Sequence, residues 1–251
     1  MKIKAVLFDA YGTLFDVYSV AKQAEQLFPG QGERLAVLWR EKQIDYTRLV
    51  SMSGRAAFGA PHEIVESAPG HIPAPCGSPF YRPFRELTRS ALQAAADRLG
   101  LALTPDADAQ LMDAYRRLSA YPENREVLIG LRQRGLPTGI LSNGDPEMLA
   151  DSVNSAGLAD LLTHVISVHE TRRYKTDPAA YALGPAALKL SPREILFVSS
   201  NGWDAIGATW YGYTTLWVNR AGVPLERLGT APDHTCSSLR DVLALVGEPA
   251  A

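Results

Sequence analysis

Residues 3–16 read IKAVLFDAYGTLFD, and this segment carries the strongest indication of the fold. The apolar run 3–8 predicts a buried strand that ends in Asp9. A carboxylate at the C-terminal end of an opening strand, followed by a Gly-Thr turn, is typical of an aspartate nucleophile. Two residues later, where a second acid would donate a proton to a phosphate-ester leaving group, the chain has Tyr11. The sequence therefore favours a leaving group that needs no proton.

Four further apolar segments predict strands at 137–141, 164–168, 195–198 and 214–218. Each lacks the polar alternation of a half-exposed strand, as expected for strands that are buried on both faces. Helical patterns fill the intervals, at 122–134, 146–156, 178–189, 203–211 and 238–246. This alternation predicts an α/β fold, with a doubly wound, Rossmann-like parallel sheet and helices on both of its faces.

Residues 17–100 break the alternation, because they contain no convincing strand. Apolar spacing predicts helices at 32–52 and 84–99. We therefore expect a helical cap subdomain at 17–100, inserted into a core domain formed by 1–16 and 101–251.

The stretch 53–79 is rich in Gly, Pro, Ala and Ser, and its five prolines make a continuous helix unfavourable. The simpler interpretation is a tolerated surface insertion. The alternative is a lid or a dimer contact, because long loops in compact domains often have such roles.

Composition excludes several classes of function. The 251 residues carry a net charge of −2, which gives no reason to expect nucleic-acid binding. No apolar run reaches the roughly 18 residues that span a bilayer, and the first one stops at Asp9, too early for a signal peptide. Cys76 and Cys236 have no metal-ligand spacing. We expect a cytoplasmic protein with free thiols and no membrane partner.

Polar residues follow the predicted strands. Because ligands bind at the carboxyl ends of a doubly wound sheet, these residues are expected to meet in one crevice. Alternatives remain at single positions: Ser-Asn-Gly after a strand is more often only a turn, and Asp145 before Pro146 is consistent with a helix cap. The candidate set is Asp9, Ser142, Asn143, Lys175, Ser199, Asn201 and Asp204.

In order and spacing, these motifs resemble the haloacid dehalogenase superfamily and, within it, the L-2-haloacid dehalogenases. The matching segments are FDAYGTLFDV (8–17), LWREKQ (38–43), LSNG (141–144) and FVSSNGWD (197–204). The resemblance covers about 2–52 and 80–245, whereas 53–79 has no counterpart in the compact family pattern. It implies the doubly wound core with a helical cap, and hydrolysis of short L-2-haloacids to D-2-hydroxyacids with inversion.

The chemistry of that reaction needs a desolvated, aligned carboxylate, and Asp9 fits this role. Lys175 would keep Asp9 ionised, because a nearby positive charge lowers a carboxylate's pKa; its alternative interpretation is a surface lysine. Thr13 would position Asp9. For the departing halide the resemblance implies Arg40, Asn143 and the ring of Trp203, although Arg40 alone reads as a solvated helix residue.

The resemblance implies further roles around the substrate. Its carboxylate would be bound by Ser142 and the backbone amides of Ala10 and Tyr11. The resulting Asp9 ester would be hydrolysed by a water that Asn201 and Asp204 orient or deprotonate, with Ser199 in support. Tyr181 matches a family tyrosine and is assigned to substrate binding; its alternative is a core-facing helix residue. Apolar contacts are assigned to Tyr11, Ile44, Phe84 and Trp203, for which ordinary core packing is at least as good an interpretation.

Three positions depart from the family pattern. Thr176 follows Lys175 where the family favours Pro, and His169 stands where it favours Asp. Glu41 replaces a Gln beside Arg40, which predicts extra negative charge near the halide site.

Two alternative functions stay open. One is a phosphatase of the same superfamily, but Ser199 and Ser200 stand where such enzymes have metal-binding acids, and Mg²⁺ prefers carboxylate ligands. The other is a protein that binds a small carboxylate without turning it over. We expect no metal and no other cofactor, a small 2-haloacid as substrate and, by resemblance only, a homodimer.

Overall fold

A computed structural model describes residues 2–53 and 77–247 of the chain. Within these residues, six parallel strands form one sheet in the order β3–β2–β1–β4–β5–β6. The strands are β1 Ala5–Phe8, β2 Thr138–Ser142, β3 His164–Ser167, β4 Ile195–Ser199, β5 Thr214–Val218 and β6 His234–Cys236. This order confirms the predicted doubly wound α/β fold, because the chain moves outward from β1 first in one direction and then in the other.

The strand order reverses at β1, where the candidate nucleophile emerges. Phe8 pairs with Ile140 of β2 and with Val198 of β4, so the carboxyl ends of these three strands lie level. All residues of β1, β2 and β4 are buried, which explains their continuous apolar sequences. Ligands of such sheets bind in the crevice outside the carboxyl ends at the reversal point. Asp9, directly after β1, lies at this crevice.

Helices connect the strands, as the sequence predicts. They are α5 Asn124–Gln133, α6 Pro146–Ser155, α7 Pro178–Leu188 and α8 Gly202–Tyr211. Asp177 begins α7 by accepting a hydrogen bond from the backbone of Ala179 at 2.9 Å, and Pro178 suits the first helical position.

Between β1 and α5, the described residues form four α-helices: α1 Ala21–Leu27, α2 Gly32–Met52, α3 Phe84–Leu99 and α4 Pro105–Arg116. The long α2 packs against both α1 and α3. Its buried face includes Leu35 and Trp39, and the Trp39 indole donates a hydrogen bond to the Thr88 carbonyl of α3 at 2.7 Å. We name α1, α2 and α3 the inserted helices.

Three elements differ from the predictions. The edge strand β6 was not predicted, because its His-Thr-Cys sequence is short, polar and partly exposed. The short α1 was also missed. The helix predicted at 238–246 is reduced to a 3₁₀ turn, Leu239–Asp241, followed by the single-turn α9, Val242–Leu245.

Most of the 53–79 insertion, together with Cys76, lies outside the described residues. Cys236 is a free thiol, and burial raises its pKa to about 11. Among the helices of the described ranges, none is both long and apolar enough to cross a membrane.

Candidate active site

Three charged side chains form the floor of the crevice. The ammonium of Lys175 donates to Asp9 Oδ1 at 3.0 Å and to Asp204 Oδ2 at 3.1 Å. The side chains of Lys175 and Asp204 are 0% exposed, and that of Asp9 is 9% exposed. Since water screens such a buried triad poorly, each charge has a strong effect on its neighbours. The alternative interpretation of Lys175 as a surface lysine is wrong.

The second oxygen of Asp9 accepts two hydrogen bonds, one from the loop after β4 and one from the turn after β1. Asn201 Nδ2 donates to Asp9 Oδ2 at 2.8 Å, and Thr13 Oγ1 donates to the same oxygen at 3.2 Å. Thr13 Oγ1 in turn accepts from the Ser200 amide at 2.8 Å, and Ser199 Oγ accepts from the Asn201 amide at 3.2 Å. These bonds fix the Asp9 carboxylate in one orientation, in the way a reacting group needs.

Burial shifts the ionisation of Asp204. It raises the Asp204 pKa from 3.8 to about 6; the Lys175 charge opposes this rise, and the Asp9 charge adds to it. The Tyr181 hydroxyl donates to Asp204 Oδ1 at 2.8 Å, and burial raises the Tyr181 pKa well above its usual value. Asp204 is therefore a carboxylate that accepts a proton more readily than an exposed one.

Arg40 reaches this crevice from the inserted helix α2. Its guanidinium donates to the Tyr11 carbonyl at 3.0 Å and to Asn201 Oδ1 at 3.2 Å. The residue is only 7% exposed, so the alternative of a solvated helix arginine is wrong. Arg40 thus places a positive charge opposite the strand ends.

Gln43 orients Arg40, and we did not predict this residue. Its side-chain oxygen accepts from Arg40 Nη1 at 2.7 Å and from the Tyr115 hydroxyl at 2.9 Å, and its amide nitrogen donates to Thr88 Oγ1 at 2.6 Å. A usable signal was present in the sequence. Positions 40, 43, 44 and 47 fall on one face of a helix, so a residue on that face with a polar amide is a candidate partner for the arginine.

These residues surround a cavity of about 20 Å³. That space holds roughly one water molecule, so a substrate of several heavy atoms needs the walls to move apart. The walls come from the strand ends, from the inserted helices and from the start of α8. The lining residues are Asp9, Tyr11, Arg40, Gln43, Ile44, Thr47, Phe84, Ser142, Asn143 and Trp203.

One end of the cavity offers hydrogen-bond donors. Ser142 is fully buried, and its Oγ accepts from the Gly144 amide at 3.1 Å, so its hydroxyl proton is available to a ligand. In the described part of the chain, we find no acceptor bonded to the backbone amides of Ala10 and Tyr11. Asn143 is fixed by its side-chain oxygen, which accepts from the Lys175 amide at 2.9 Å.

Aromatic rings form an apolar wall of the cavity. The Tyr11 ring stacks on Phe84 with 5.4 Å between ring centroids and lies 5.7 Å from the Tyr115 ring. Burial raises the pKa of the Tyr11 phenol, so the phenol stays neutral at ordinary pH. Trp203 lies at the edge of the cavity, with the Arg48 guanidinium 5.1 Å above its ring centroid.

Three expectations require correction. Tyr181 lies behind Asp204 and does not line the cavity, so direct substrate contact is replaced by a hydrogen bond to that carboxylate. Glu41 is exposed on the outer face of α2, where water screens its charge from the halide position. Asp145 precedes α6 without capping it, and its carboxylate binds the first amides of α3 instead.

The cation between the two floor carboxylates is the Lys175 ammonium. In the residues that the structure covers, no cluster of three or more His, Cys, Asp or Glu side chains is arranged to hold a metal ion. The arrangement instead combines an oriented carboxylate, a proton acceptor of raised pKa and two separate sets of donors. It suits nucleophilic displacement on a small anion, followed by hydrolysis.

Comparisons with known proteins agree with this chemistry. A family model of haloacid dehalogenase-like hydrolases matches residues 3–212. The (S)-2-haloacid dehalogenase of Pseudomonas sp. (strain YL) is 40% identical over 243 residues, which cover 97% of this chain and 94% of that protein.

Two solved structures are similar over nearly their whole length. An L-2-haloacid dehalogenase is 53% identical with a TM-score of 0.87, and the match covers 98% of this chain and 99% of that one. The L-2-haloacid dehalogenase of Xanthobacter autotrophicus, solved with chloropropionic acid covalently bound, is 36% identical with a TM-score of 0.82. That match covers 97% of this chain and 98% of the other.

Proposed function

Because this chain belongs to the haloacid dehalogenase-like hydrolases and, among them, to the (S)-2-haloacid dehalogenases, we propose that it hydrolyses short (S)-2-haloacids. The enzyme is a hydrolase that acts on carbon–halogen bonds. Each turnover consumes one haloacid and one water, and releases a halide, a proton and the (R)-2-hydroxyacid.

Asp9 is the nucleophile of the first step. Its carboxylate oxygen attacks C2 of the substrate from the side opposite the halogen, so an O–C2 bond forms while the carbon–halogen bond breaks. The halide leaves with the bonding electron pair and needs no proton. The supporting observation is the double anchoring of Asp9 by Lys175 at 3.0 Å and by Asn201 at 2.8 Å, because both bonds favour the ionised, oriented carboxylate.

The halide leaves toward Arg40, Asn143 and Trp203. All three line the cavity, and the buried Arg40 guanidinium supplies a positive charge where negative charge develops in the transition state. The substrate carboxylate binds at the Ser142 hydroxyl and the amides of Ala10 and Tyr11. Ile44, Phe84 and the Tyr11 ring then face the alkyl group at C2.

Hydrolysis of the Asp9 ester completes the turnover. Water adds to the side-chain carbonyl carbon of Asp9, and the O–Cγ bond to the hydroxyacid breaks, which regenerates the carboxylate and inverts C2 only once. Asp204 accepts the proton of this water, a role that its pKa of about 6 supports. Asn201 orients the ester, and Ser199 holds the Asn201 backbone.

We propose that the reaction proceeds without a metal ion. The supporting observation is the position of the Lys175 ammonium, which occupies the space between Asp9 and Asp204 where a bridging cation would have to bind. The single negative charge of a haloacid is matched by Arg40, whereas a phosphate dianion would bring excess negative charge to this floor.

The inserted helices act as a cap over the core domain, and residues 17–100 form this cap subdomain. The small volume of the cavity supports this role, since substrate admission needs α2 and α3 to move relative to the strand ends. We further propose that the protein is cytoplasmic and forms a homodimer. Light scattering coupled to size exclusion tests the homodimer directly.

Halide release from each enantiomer of 2-chloropropionate, with and without EDTA, tests the proposed function. We expect chloride release from the (S) enantiomer, unchanged by EDTA, and (R)-lactate as the product. Absence of release from both enantiomers would refute dehalogenation. Loss of activity with EDTA would refute the metal-free mechanism.

A further inference from the structure

Asp145 joins the core to the first turn of an inserted helix. Its Oδ1 accepts from the Phe84 amide at 2.8 Å, and its Oδ2 accepts from the Arg85 amide at 2.7 Å. Phe84 and Arg85 are the first two residues of α3, although Asp145 is 61 and 60 positions away in the chain. The carboxylate is therefore a helix cap supplied from another part of the fold.

The first turn of α3 needs such a partner. The opening amides of a helix have no acceptor within it, and they favour a negative charge nearby. Pro83, which precedes α3, provides no side-chain cap. Asp145 is only 8% exposed, so the two charge-assisted bonds are largely protected from competing water.

Both partners of this contact lie next to the active site. Phe84 lines the cavity and stacks on Tyr11, and Asn143 lines it from the same short loop that carries Asp145. The two bonds therefore fix the distance between the apolar wall and the hydrogen-bond donors at the end of β2.

The neighbouring contacts extend the same junction. His169 Nδ1 lies 3.5 Å from Asp145 Oδ1 and 2.9 Å from the Tyr81 hydroxyl, so a second residue pair spans the boundary between β3 and the start of α3. One turn into α3, Thr88 bonds Gln43 and thereby leads to Arg40. α3 thus contacts the apolar wall at its first residue and the halide-binding side one turn later, through a separate hydrogen bond that does not involve Asp145.

We infer that Asp145 is a positioning residue that fixes Phe84 at the distance which selects the alkyl group at C2. The inference rests on the proposed function, in which Phe84 faces that group. Loss of the two bonds frees the Phe84 end of α3, which weakens contacts with the alkyl group and leaves the nucleophile and its partners in place.

Steady-state kinetics of Asp145→Ala and Asp145→Asn on chloroacetate and (S)-2-chloropropionate test the inference. Chloroacetate lacks the alkyl group. A well-packed methyl group is worth about 10-fold or more in kcat/KM, so we expect Asp145→Ala to lose about that preference for chloropropionate. The loss should come mainly through KM. Asp145→Asn keeps one good acceptor and should lie between wild type and Asp145→Ala.

Thr104→Ala is the matched control. Thr104 caps α4 by accepting from the Ala107 amide at 3.2 Å, so its replacement removes a helix cap that does not lie at the cavity. Amide hydrogen exchange at Phe84 and Arg85 gives a readout independent of turnover. We expect faster exchange there in Asp145→Ala and unchanged exchange in Thr104→Ala.

An unchanged substrate preference in Asp145→Ala, or an equal change in Thr104→Ala, would overturn the inference. Unchanged exchange at the start of α3 would overturn it as well. Inactivity of the wild type on both haloacids would refute the proposed function instead, and the exchange measurement would then decide the positioning role by itself.

Discussion

The Lys175 ammonium lies 3.0 Å from Asp9 Oδ1 at a site where the lysine side chain is 0% exposed. The same ammonium bonds Asp204 at 3.1 Å, so one buried positive charge serves two carboxylates. Removal of that charge leaves both acids desolvated and without their main partner, which raises the free energy of the ionised forms. Stability and activity should therefore both depend on Lys175.

Replacement of Lys175 by Met should reduce stability and nearly abolish turnover. Breaking a buried ion pair costs about 3–5 kcal/mol, and loss of a preorganised charge lowers kcat by about 10²–10³-fold. Urea unfolding and chloride release measure the two effects. Lys42→Met is the control, because Lys42 forms a surface pair with Asp45, and such pairs contribute about 0–1 kcal/mol. Equal effects of the two variants would contradict the role of the buried triad.

The raised pKa of Asp204 predicts a pH-dependent second step. Asp204 accepts a proton only when ionised, so ester hydrolysis should fall below about pH 6 and level off above it. Rapid-quench measurement of the second step across pH tests this. In Asp204→Asn, the fall below about pH 6 should disappear together with most of the rate. An unchanged fall in that variant would assign the pH dependence to another group.

The raised pKa of Asp204 also makes the stability of the protein depend on pH in a defined direction. The folded Asp204 pKa of about 6 exceeds the unfolded value of 3.8, so the native state binds more protons between these values. This group's contribution to stability is therefore lost as pH rises through about 6. Relative to wild type, Asp204→Asn should gain stability between about pH 4.5 and about pH 7.5, by about 2 kcal/mol. Urea midpoints at both pH values give the comparison, and a relative loss would contradict the predicted direction.

Gln43 should influence catalysis through Arg40. In Gln43→Leu, Arg40 Nη1 loses its 2.7 Å acceptor while remaining buried, and a hydrogen bond to a charged group is worth about 1.5–3 kcal/mol. We expect kcat/KM to fall by about 10–100-fold. Gln110→Leu, at an exposed amide pair with Gln23, should leave kcat/KM unchanged. A full-rate Gln43→Leu enzyme would show that Arg40 needs no such support.

Gly144 should not tolerate a side chain. A Cβ atom there would lie 2.7 Å from Cε2 of Tyr11, so Gly144→Ala must displace the ring that lines the cavity. We expect a clear loss of kcat/KM on (S)-2-chloropropionate. Gly202→Ala is the matched control, since its Cβ would meet only ordinary contacts at 3.6 Å. Equal activity of the two variants would refute the tight packing of Tyr11 against this loop.

The sequence predicted the sheet and the strand-end residues because both follow from local rules. Strands buried on both faces leave continuous apolar runs, and polar residues directly after them mark the crevice. The roles of Gln43 and Asp145 escaped prediction for different reasons. Gln43 lies one turn from Arg40 on α2, so the helix spacing carried a signal, but its other partners Thr88 and Tyr115 lie on elements that are distant in the chain. Asp145 binds the first turn of α3, 61 and 60 positions away, and an aspartate does not indicate which helix terminus it meets.

Tyr181 shows a limit of prediction for a residue that the sequence did indicate. Its match to a family tyrosine marked it as a site residue, yet such a match does not tell whether a side chain faces the substrate or the carboxylate behind it. The strand β6 was missed because its short, polar sequence carries none of the apolar signal of the central strands.

Formation of an ester on Asp9 can be measured in a single turnover in H₂¹⁸O with enzyme in excess over (S)-2-chloropropionate. In the proposed mechanism the lactate hydroxyl oxygen comes from Asp9, and water replaces that oxygen in the carboxylate. Mass spectrometry should therefore find unlabelled lactate and ¹⁸O in the peptide that contains Asp9. Labelled lactate with an unlabelled Asp9 peptide would contradict the account, because it would mean that water attacks C2 directly.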